Sequence, residues 1–444
     1  MTRAKERTAS RKYKKSENDF FHIDFRIAII MQRKQKIFEI LRIPKVMAFV
    51  KEHKHADIRA LALQFGTKVS FPLSPVLEWI DCLQRAAKKL PEHAEQECFF
   101  TRRAIEQASS ESTAMYKASQ LSGSRLLNIS GGLGIDDWAF AKKGFHSDSC
   151  DPDEELNELV RANQDRMGAN GINRIDAKAE DFLATENLEH YDWVYADPDR
   201  REDGKRLVGM DDCVPQILDL WERIQSVSNY QLVKLSPLYP LEQLEKELAG
   251  LERIEVVALH GEVKEVLAFA KSGTKAEQIL RCATELSGAQ SYKGMPEFGT
   301  TEPLEDSLYF YEVNAAISKA NLGVCYSKEL GTKCLISNGI YQASDKPLPD
   351  FFGRGFEIVS SGVYGRKQFQ GYLKIHGIKK ANMASRYFKL SPDELKKIHK
   401  LGDGGDTYFF FFTDRDGGMY FIHGKKIGRQ SLNLIQDEKA NPTI

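Results

Sequence analysis

The segment 125–271 constrains the fold most, because short apolar runs alternate there with glycine turns and stretches of helical periodicity. This alternation is typical of a parallel β-sheet covered by helices on both faces. We therefore expect an α/β fold with an open sheet. The predicted strands are 125–129, 145–150, 191–196 and 231–235, and the predicted helices are 136–142, 153–167, 214–227 and 241–249.

Two further apolar runs, 253–260 and 264–270, follow the last of these helices and are separated by three residues. A gap of this length permits a hairpin and excludes a helical crossover. The sheet is therefore predicted to be parallel with one terminal antiparallel hairpin.

Composition limits the classes of protein that this chain can represent. The 444 residues exceed one ordinary core, so we expect two to four domains. The 63 basic and 63 acidic residues cancel, so that only local clusters can argue for nucleic acid. Seven cysteines without a CxxC pair predict neither zinc nor a redox couple, and they favour a reducing cytoplasm. No apolar run approaches the ~20 residues of a membrane span, so no membrane partner is expected.

The segments on either side of the alternating region differ from it in charge and in the spacing of apolar residues. Residues 1–30 form a basic arm, with seven basic residues and one acid among the first fifteen, and we expect it to be disordered. One interpretation of this arm is a nucleic-acid tail, and the alternative is a solvated leader or a mis-assigned start upstream of Met31. Residues 31–110 carry apolar positions at three-to-four spacing, which predicts a helical domain. Residues 276–322 and 323–444 each have the size of a further α/β domain.

A glycine-rich loop between the first predicted strand and helix is the first candidate site. Gly131, Gly132 and Gly134 let the backbone pass close beneath a ligand, and the helix N-terminus offers unpaired N–H groups. Asp151 comes seventeen residues after Gly134, at the end of the second predicted strand. A carboxylate there can accept hydrogen bonds from both ribose hydroxyls of a nucleoside. Loop and acid together predict a nucleoside cofactor, whereas the loop alone could be a tight turn.

The motif Asp197-Pro198-Asp199-Arg200-Arg201 follows the strand 191–196 and therefore lies at the edge where open α/β sheets bind ligands. We expect Asp197 and Pro198 to form the catalytic edge, with Asp197 orienting an acceptor. Arg200 or Arg201 can hold a phosphate bidentately, or can pair with nearby acids instead. Lys234 and Ser236 end the next predicted strand and are further substrate-binding candidates.

Several motifs resemble a family of uncharacterised bacterial class I methyltransferases, and the similarity covers nearly everything from about Met31 onward. The resemblance implies S-adenosylmethionine as cofactor, with the methyltransferase domain at 111–275, a ferredoxin-like domain at 276–322 and a THUMP-like domain at 323–444. THUMP domains are associated with RNA modification, so RNA is the implied acceptor. The resembling runs are 109–118 (SSESTAMYKA), 128–134 (NISGGLG), 197–201 (DPDRR), 234–237 (KLSP), 261–265 (GEVKE), 311–316 (YEVNAA) and 381–388 (ANMASRYF).

The resemblance also places a cofactor site, with two departures from the usual pattern. Asn128 stands where an acid usually meets the methionine ammonium, and Asp136 can supply that countercharge. Lys178 stands where an aspartate is common, at the end of a probable third strand. The expected cofactor-binding residues are Asn128, Ser130, Gly131, Gly132, Gly134, Asp136, Asp151, Ala179 and Glu180, the last two beside the adenine.

The stretch 354–389 carries the only local charge argument, with eight basic residues and one acid. Its aromatics either stack on unpaired bases or pack a sheet core. The run 409–412 (FFFF) is expected to be a buried strand. The expected RNA-binding cations are Arg366, Lys367, Lys379, Lys380 and Arg386, and the interleaved aromatics are Phe356, Tyr364, Phe369, Tyr372, Tyr387 and Phe388.

The leading prediction is therefore a cytoplasmic S-adenosylmethionine-dependent methyltransferase that modifies tRNA or rRNA. Methyl transfer from a sulfonium depends mainly on alignment, so no metal is expected. One alternative is a methyltransferase that acts on a protein or small molecule. A second is an inactive RNA-binding module that retains a cofactor fold.

Overall fold

The computed structural model describes residues 39–200, 210 and 213–428. The chain divides into two compact units, residues 1–193 and 194–444, which we describe separately. The expected basic arm at 1–30 lies outside the described residues. None of the helices that the structure describes is both long and apolar enough to cross a membrane.

The first unit begins with helices, as predicted. The longest, α3, buries Val76, Trp79, Ile80 and Leu83 at helical spacing, which explains why periodicity in the sequence identified it. This helical region contains α1 (Pro44–His53), α2 (Ile58–Phe65), α3 (Leu73–Ala86), α4 (Pro91–Glu95) and α5 (Arg102–Gln107).

The rest of the first unit alternates strands and helices. Strands β1 and β2 pair in parallel, and so do β2 and β3. Because the strands are parallel, the residues at their carboxyl ends meet at one edge of the sheet. The elements are α6 (Glu111–Ser119), β1 (Arg125–Asn128), α7 (Ile135–Lys142), β2 (His146–Asp151), α8 (Glu154–Met167), β3 (Ile172–Asp176) and α9 (Ala179–Leu183), followed by β4 (Tyr191–Ala196), which contains the division between the units.

One expectation in this unit was wrong. Ala179 and Glu180 were placed at the end of a third strand, but β3 ends at Asp176 and both residues belong to α9. Ala179 and Leu183 are buried at a spacing of four residues, which is a helical period.

The second unit starts with two short antiparallel strands, β5 (Asp199–Arg200) and β6 (Cys213–Val214). The helix expected at 214–227 is shorter than predicted, because Cys213 and Val214 pair with β5 before α10 begins. Strands β8 and β9 form the predicted antiparallel hairpin, and β9 is also antiparallel to β7. The elements here are α10 (Ile217–Ser226), β7 (Ser228–Leu235), α11 (Leu241–Glu247), β8 (Leu251–Leu259) and β9 (Glu262–Lys271).

A separate seven-stranded sheet follows, in the order β13-β14-β12-β15-β18-β17-β16. Phe409–Phe412 lie in β17 and are buried, so the prediction of a buried strand is confirmed. The elements are β12 (Tyr309–Val313), α12 (Ala315–Lys319), α13 (Gly323–Leu330), β13 (Lys333–Cys334), β14 (Tyr341–Ser344), β15 (Gly353–Val363), α14 (Arg366–Ile375), β16 (Asn382–Arg386), α15 (Pro392–His399), β17 (Thr407–Thr413) and β18 (Met419–Lys426).

The range 276–322, expected as a ferredoxin-like domain, is divided between the two sheets. Strand β10 (Leu280–Glu285) pairs in parallel with β8, and β11 (Gln290–Gly294) pairs with β10. Strand β12 pairs instead with β14 and β15 of the second sheet. The division follows from lateral strand pairing, which the apolar pattern of each run does not encode.

Candidate functional site

The glycine loop lies between β1 and α7, as predicted. The Gly131 N–H donates to the carbonyl of Cys150 at 2.9 Å, and the Gly134 N–H donates to the carbonyl of Gly131 at 3.0 Å. Gly132 (φ 49°) and Gly134 (φ 74°) have left-handed backbones, which glycine adopts without steric cost. The sequence therefore folds into a tight loop whose glycines are required by conformation.

Arg174 of β3 lies directly beneath this loop and is fully buried. Its Nη2 donates to the carbonyl of Gly132 at 2.6 Å, and its Nε donates to Oδ1 of Asn157 at 2.6 Å. A Cβ on Gly131 would lie 2.2 Å from Nη1 of Arg174. A side chain at position 131 would therefore clash with this arginine, so the position requires glycine.

Asp137 of α7 is the buried partner of Arg174. Nη1 of Arg174 lies 3.2 Å from Oδ2 of Asp137, which also accepts from the Ser149 hydroxyl at 2.6 Å. Burial raises the pKa of Asp137, and the arginine, Ser149 and Asn128 oppose that rise. Asn128 Nδ2 donates to Oδ1 of Asp137 at 2.7 Å. An amide fits at position 128 because an acid there would face a second buried acid.

Asp151 ends β2 beside the loop. Its Oδ2 accepts from the Gly132 N–H at 2.8 Å, and its Oδ1 accepts from the Asp153 N–H at 2.9 Å. Two carboxylate oxygens offer about four acceptor positions, so these two bonds leave capacity for hydroxyl donors. A Cβ built on Gly132 would meet only the Ser130 carbonyl, at 3.9 Å, so there is open space next to this acid. The loop and Asp151 therefore fit a nucleoside with vicinal hydroxyls.

Asp136 already has a cation beside it. Nζ of the buried Lys117 lies 3.1 Å from its Oδ1, and the Ser109 hydroxyl donates to its Oδ2 at 2.8 Å. Lys117 also donates to the hydroxyl of Ser109 at 3.1 Å. The role of Asp136 as countercharge for a ligand ammonium stays a prediction. In the structure, the ammonium of Lys117 already lies next to this carboxylate.

The remaining expected cofactor residues are Ser130, Ala179 and Glu180. The N–H of Ser130 donates to Oδ1 of Asn128 at 3.0 Å, so this serine shapes the loop. Ala179 is buried at the start of α9, and Glu180 is partly exposed beside it. Their assignment to the adenine stays a prediction.

Sequence reasoning missed Arg174, Asp137 and Lys117. Lys117 lies in the run 109–118 that carried the resemblance, which was a usable signal. Arg174 stands beside polar Asn173 and close to Asp176, so the local sequence did not mark it as a buried charge that needs an acid. Nothing in the local pattern identified Asp137 as that acid.

In the second unit, the structure brings Asp197 and Lys234 together. Nζ of Lys234 donates to Oδ2 of Asp197, and both side chains are largely buried. Both residues stand at the carboxyl ends of strands, which is why the sequence could place them at one edge. The ammonium holds the carboxylate in a fixed position, where it can accept a hydrogen bond from a bound group.

The other residues expected at this edge are less constrained. Pro198 is partly exposed, and the Ser236 hydroxyl accepts from the Leu238 N–H at 3.3 Å. The side chain of Arg200 and the whole of Arg201 lie outside the described residues. Their contact with phosphate stays a prediction.

All five cations expected to bind RNA are exposed in the second unit. Arg386 pairs with Glu312 at 3.3 Å, and Glu312 also accepts from Nε of Arg354 at 2.9 Å. Within the part of the chain that the structure describes, the other four make no ion pair; they are Arg366, Lys367, Lys379 and Lys380.

The interleaved aromatics divide into a buried majority and one exception. Phe356, Tyr364 and Phe369 are buried, and Tyr372 and Phe388 pack against the same core as Tyr364 and Phe369. The core interpretation is therefore correct for these five. Tyr387 differs, because its side chain is 64% exposed.

Comparisons with known proteins agree with this architecture. Residues 353–426 match the family described as THUMP domain-like. Two curated proteins, both uncharacterised S-adenosylmethionine-dependent methyltransferases from strains CDC 1551 and H37Rv of Mycobacterium tuberculosis, are 24% identical over 324 residues, 72% of this chain and 86% of theirs. The crystal structure of a candidate methyltransferase from Porphyromonas gingivalis W83 superposes with a TM-score of 0.76 and 24% identity, covering 88% of this chain and 98% of that one.

The agreement extends over most of the chain, since the solved structure covers 88% of it and the curated relatives are similar in sequence to 72% of it. The family match covers the part of the last sheet from the start of β15 to the end of β18, and β12, β13 and β14 precede it. The chain therefore has the fold of a class I methyltransferase, and its residues 353–426 resemble a THUMP domain.

Proposed function

We propose that this S-adenosylmethionine-dependent methyltransferase uses RNA as its methyl acceptor. Both curated relatives are named for S-adenosylmethionine, and the loop and Asp151 suit its nucleoside. For the cofactor, the carrying observation is the bond from the Gly132 N–H to Asp151, because an acid that can accept ribose hydroxyls then lies beside a glycine with open space around it.

Residues of the first unit would bind the cofactor. Asp151 accepts the ribose hydroxyls, while the backbone of Gly131–Gly134 passes beneath the ligand. Arg174 keeps the loop rigid through its bond to the Gly132 carbonyl, so the site is formed before the ligand arrives. When bound, the cofactor supplies an electrophilic methyl group on a positively charged sulfur.

Asp197 and Lys234 serve the acceptor. Asp197 accepts a hydrogen bond from the nucleophilic group and so fixes its direction, and Lys234 holds the carboxylate in place. Orientation is the main requirement for transfer to a nucleophile. Pro198 limits the backbone conformations available next to Asp197.

The THUMP-like domain supports RNA as the acceptor. Helix α14 begins with Arg366 and Lys367, has no acid in its first turn and has no side-chain cap. Its N–H groups, which no side chain caps, and its cations favour a phosphate. Helix α15 of the same domain is instead closed by a capping box of Ser391 and Glu394. The contrast makes α14 the helix that an external anion would stabilise.

Salt dependence of RNA binding tests this proposal. Binding of total tRNA is measured by filter retention across a salt series, and phosphate contacts make log K fall linearly with log salt. Lys379→Ala/Lys380→Ala is expected to reduce the slope by about 0.7 to 0.9 for each lost contact. The matched control is Lys51→Ala/Lys88→Ala, which removes two exposed lysines of the first unit and leaves the slope unchanged.

Two outcomes would contradict RNA as the acceptor. If the intact chain binds RNA without salt dependence, or if both double variants give the same slope, a protein or small molecule becomes the leading acceptor. Tight, salt-dependent binding without methyl transfer would instead favour an inactive RNA-binding module.

A further inference from the structure

Tyr387 follows β16 in a backbone conformation that tyrosine rarely adopts. Its φ is 51°, in the left-handed region, and its side chain is 64% exposed. Bulky residues in this region are outliers that cost free energy and often mark a ligand site. An exposed ring contributes little to the core, so burial does not account for the conformation.

The ring is held at its hydroxyl end. Asn338 Nδ2 donates to the Tyr387 hydroxyl at 2.9 Å, and Oδ1 of the same amide accepts from the Ile340 N–H at 3.2 Å. Asn338 is thus tied to its own turn and anchors the tyrosine. An aromatic ring that is fixed before binding loses little conformational entropy when a ligand stacks on it.

Arg386 precedes Tyr387 in the chain, and Arg386 and Arg354 both bind the buried Glu312. Each arginine is 48% exposed. Two guanidiniums on one carboxylate leave a net positive charge, and their exposed N–H groups can bind phosphate oxygens.

We propose that Tyr387 is a stacking platform for one unpaired base of the RNA, with Arg354 and Arg386 binding the neighbouring phosphates. This inference rests on the proposed function and adds the form of RNA that the domain selects. Every base has a π-face, so stacking accepts any sequence but requires a base that is free of a duplex. The domain therefore prefers single-stranded segments, loops or bulges.

The test uses the full chain and a short single-stranded RNA with a central 2-aminopurine, whose fluorescence falls when the base stacks. The same strand annealed to its complement is the duplex probe. Wild type is expected to quench the single strand and to bind it more tightly than the duplex. Tyr387→Ala abolishes the quenching and weakens single-strand binding by about 5- to 150-fold. Tyr387→Phe retains the quenching because the ring remains.

Two further variants separate stacking from effects on folding. Phe298→Ala removes a 93% exposed aromatic next to Glu297, and it is expected to leave both quenching and affinity unchanged. Tyr387→Gly relieves the left-handed backbone, so its Tm is not lowered even though it loses the quenching. If the Tm of Tyr387→Gly is lower than that of wild type, the ring stabilises the fold, and the inference is overturned.

The remaining outcomes distinguish the inference from the proposed function. If wild type binds the single strand with salt dependence and Tyr387→Ala binds and quenches equally, the stacking platform is refuted while RNA binding stands. If wild type binds neither probe nor total tRNA, the proposed function fails and the inference fails with it. Quenching by a short peptide rich in aromatics, with no response to RNA, would indicate a protein partner and also refute the inference.

Discussion

The guanidinium of Arg174 lies 3.2 Å from the carboxylate of Asp137, and both side chains are fully buried beneath the glycine loop. Arg174 comes from β3 and Asp137 from α7, so the pair ties two elements of the first unit together. It also supports the carbonyl of Gly132, the residue whose N–H binds Asp151. The pair therefore connects the stability of the sheet with the shape of the cofactor loop.

Breaking this pair is expected to destabilise the first unit strongly. Arg174→Ala leaves the charge of Asp137 buried without its cation, which typically costs about 3 to 5 kcal/mol. Urea unfolding measures the loss. Arg174→Met/Asp137→Asn removes both charges and is expected to cost less than the sum of its single changes. A loss below about 1 kcal/mol for Arg174→Ala would contradict the assigned pairing.

Substitutions of the adjacent glycines Gly131 and Gly132 are expected to have different effects. Gly131→Ala places a Cβ against Arg174 and overpacks a rigid site, at a cost of about 1 to 3 kcal/mol. Gly132→Ala meets open space and suffers mainly from its left-handed backbone, about 1 to 2 kcal/mol. Calorimetric titration should show that Gly132→Ala loses cofactor affinity, because its methyl group occupies the open space. Wild-type affinity in Gly132→Ala would place the ligand elsewhere.

Asp151 is expected to control affinity for the cofactor. Asp151→Ala removes the acceptor of the ribose hydroxyls, which costs about 1.5 to 3 kcal/mol, or roughly 10- to 150-fold in Kd. Asp151→Asn keeps one acceptor oxygen for the Gly132 N–H and should lose less. Isothermal titration with S-adenosylhomocysteine measures both. An exposed-acid control, Asp181→Ala, should bind like wild type, and equal affinity in all the variants would remove Asp151 from the site.

The pH dependence of stability should include a contribution from Asp192. The backbone N–H groups of Ser124 and Arg125 donate to its Oδ2 at 2.7 and 3.0 Å, and they hold the pKa of Asp192 below its ordinary value. The folded pKa lies below the unfolded one, so the stabilisation is present above about pH 4 and is lost as pH falls. The Tm difference between wild type and Asp192→Asn should be larger near about pH 6 than about pH 3. A constant difference would contradict this assignment.

The sequence predicted the parts of the structure that depend on local periodicity and chain direction. The hairpin of β8 and β9 followed from a three-residue gap, and Asp197 and Lys234 met because both end strands. The partner of Arg174 was not predictable, since Asp137 lies 37 residues away on another element. The helical start at Ala179 was missed because a five-residue helix has too few turns to show its period.

Mass spectrometry of RNA nucleosides tests the central claim most directly. RNA from cells that lack this protein should be missing one methylated nucleoside, and purified chain with S-adenosylmethionine should restore it. Asp197→Ala should fail to restore the nucleoside while still binding the cofactor, because it lacks the acceptor-orienting carboxylate. Identical nucleoside profiles with and without the protein, together with no methyl transfer to RNA from the deficient cells, would contradict the assignment as an RNA methyltransferase.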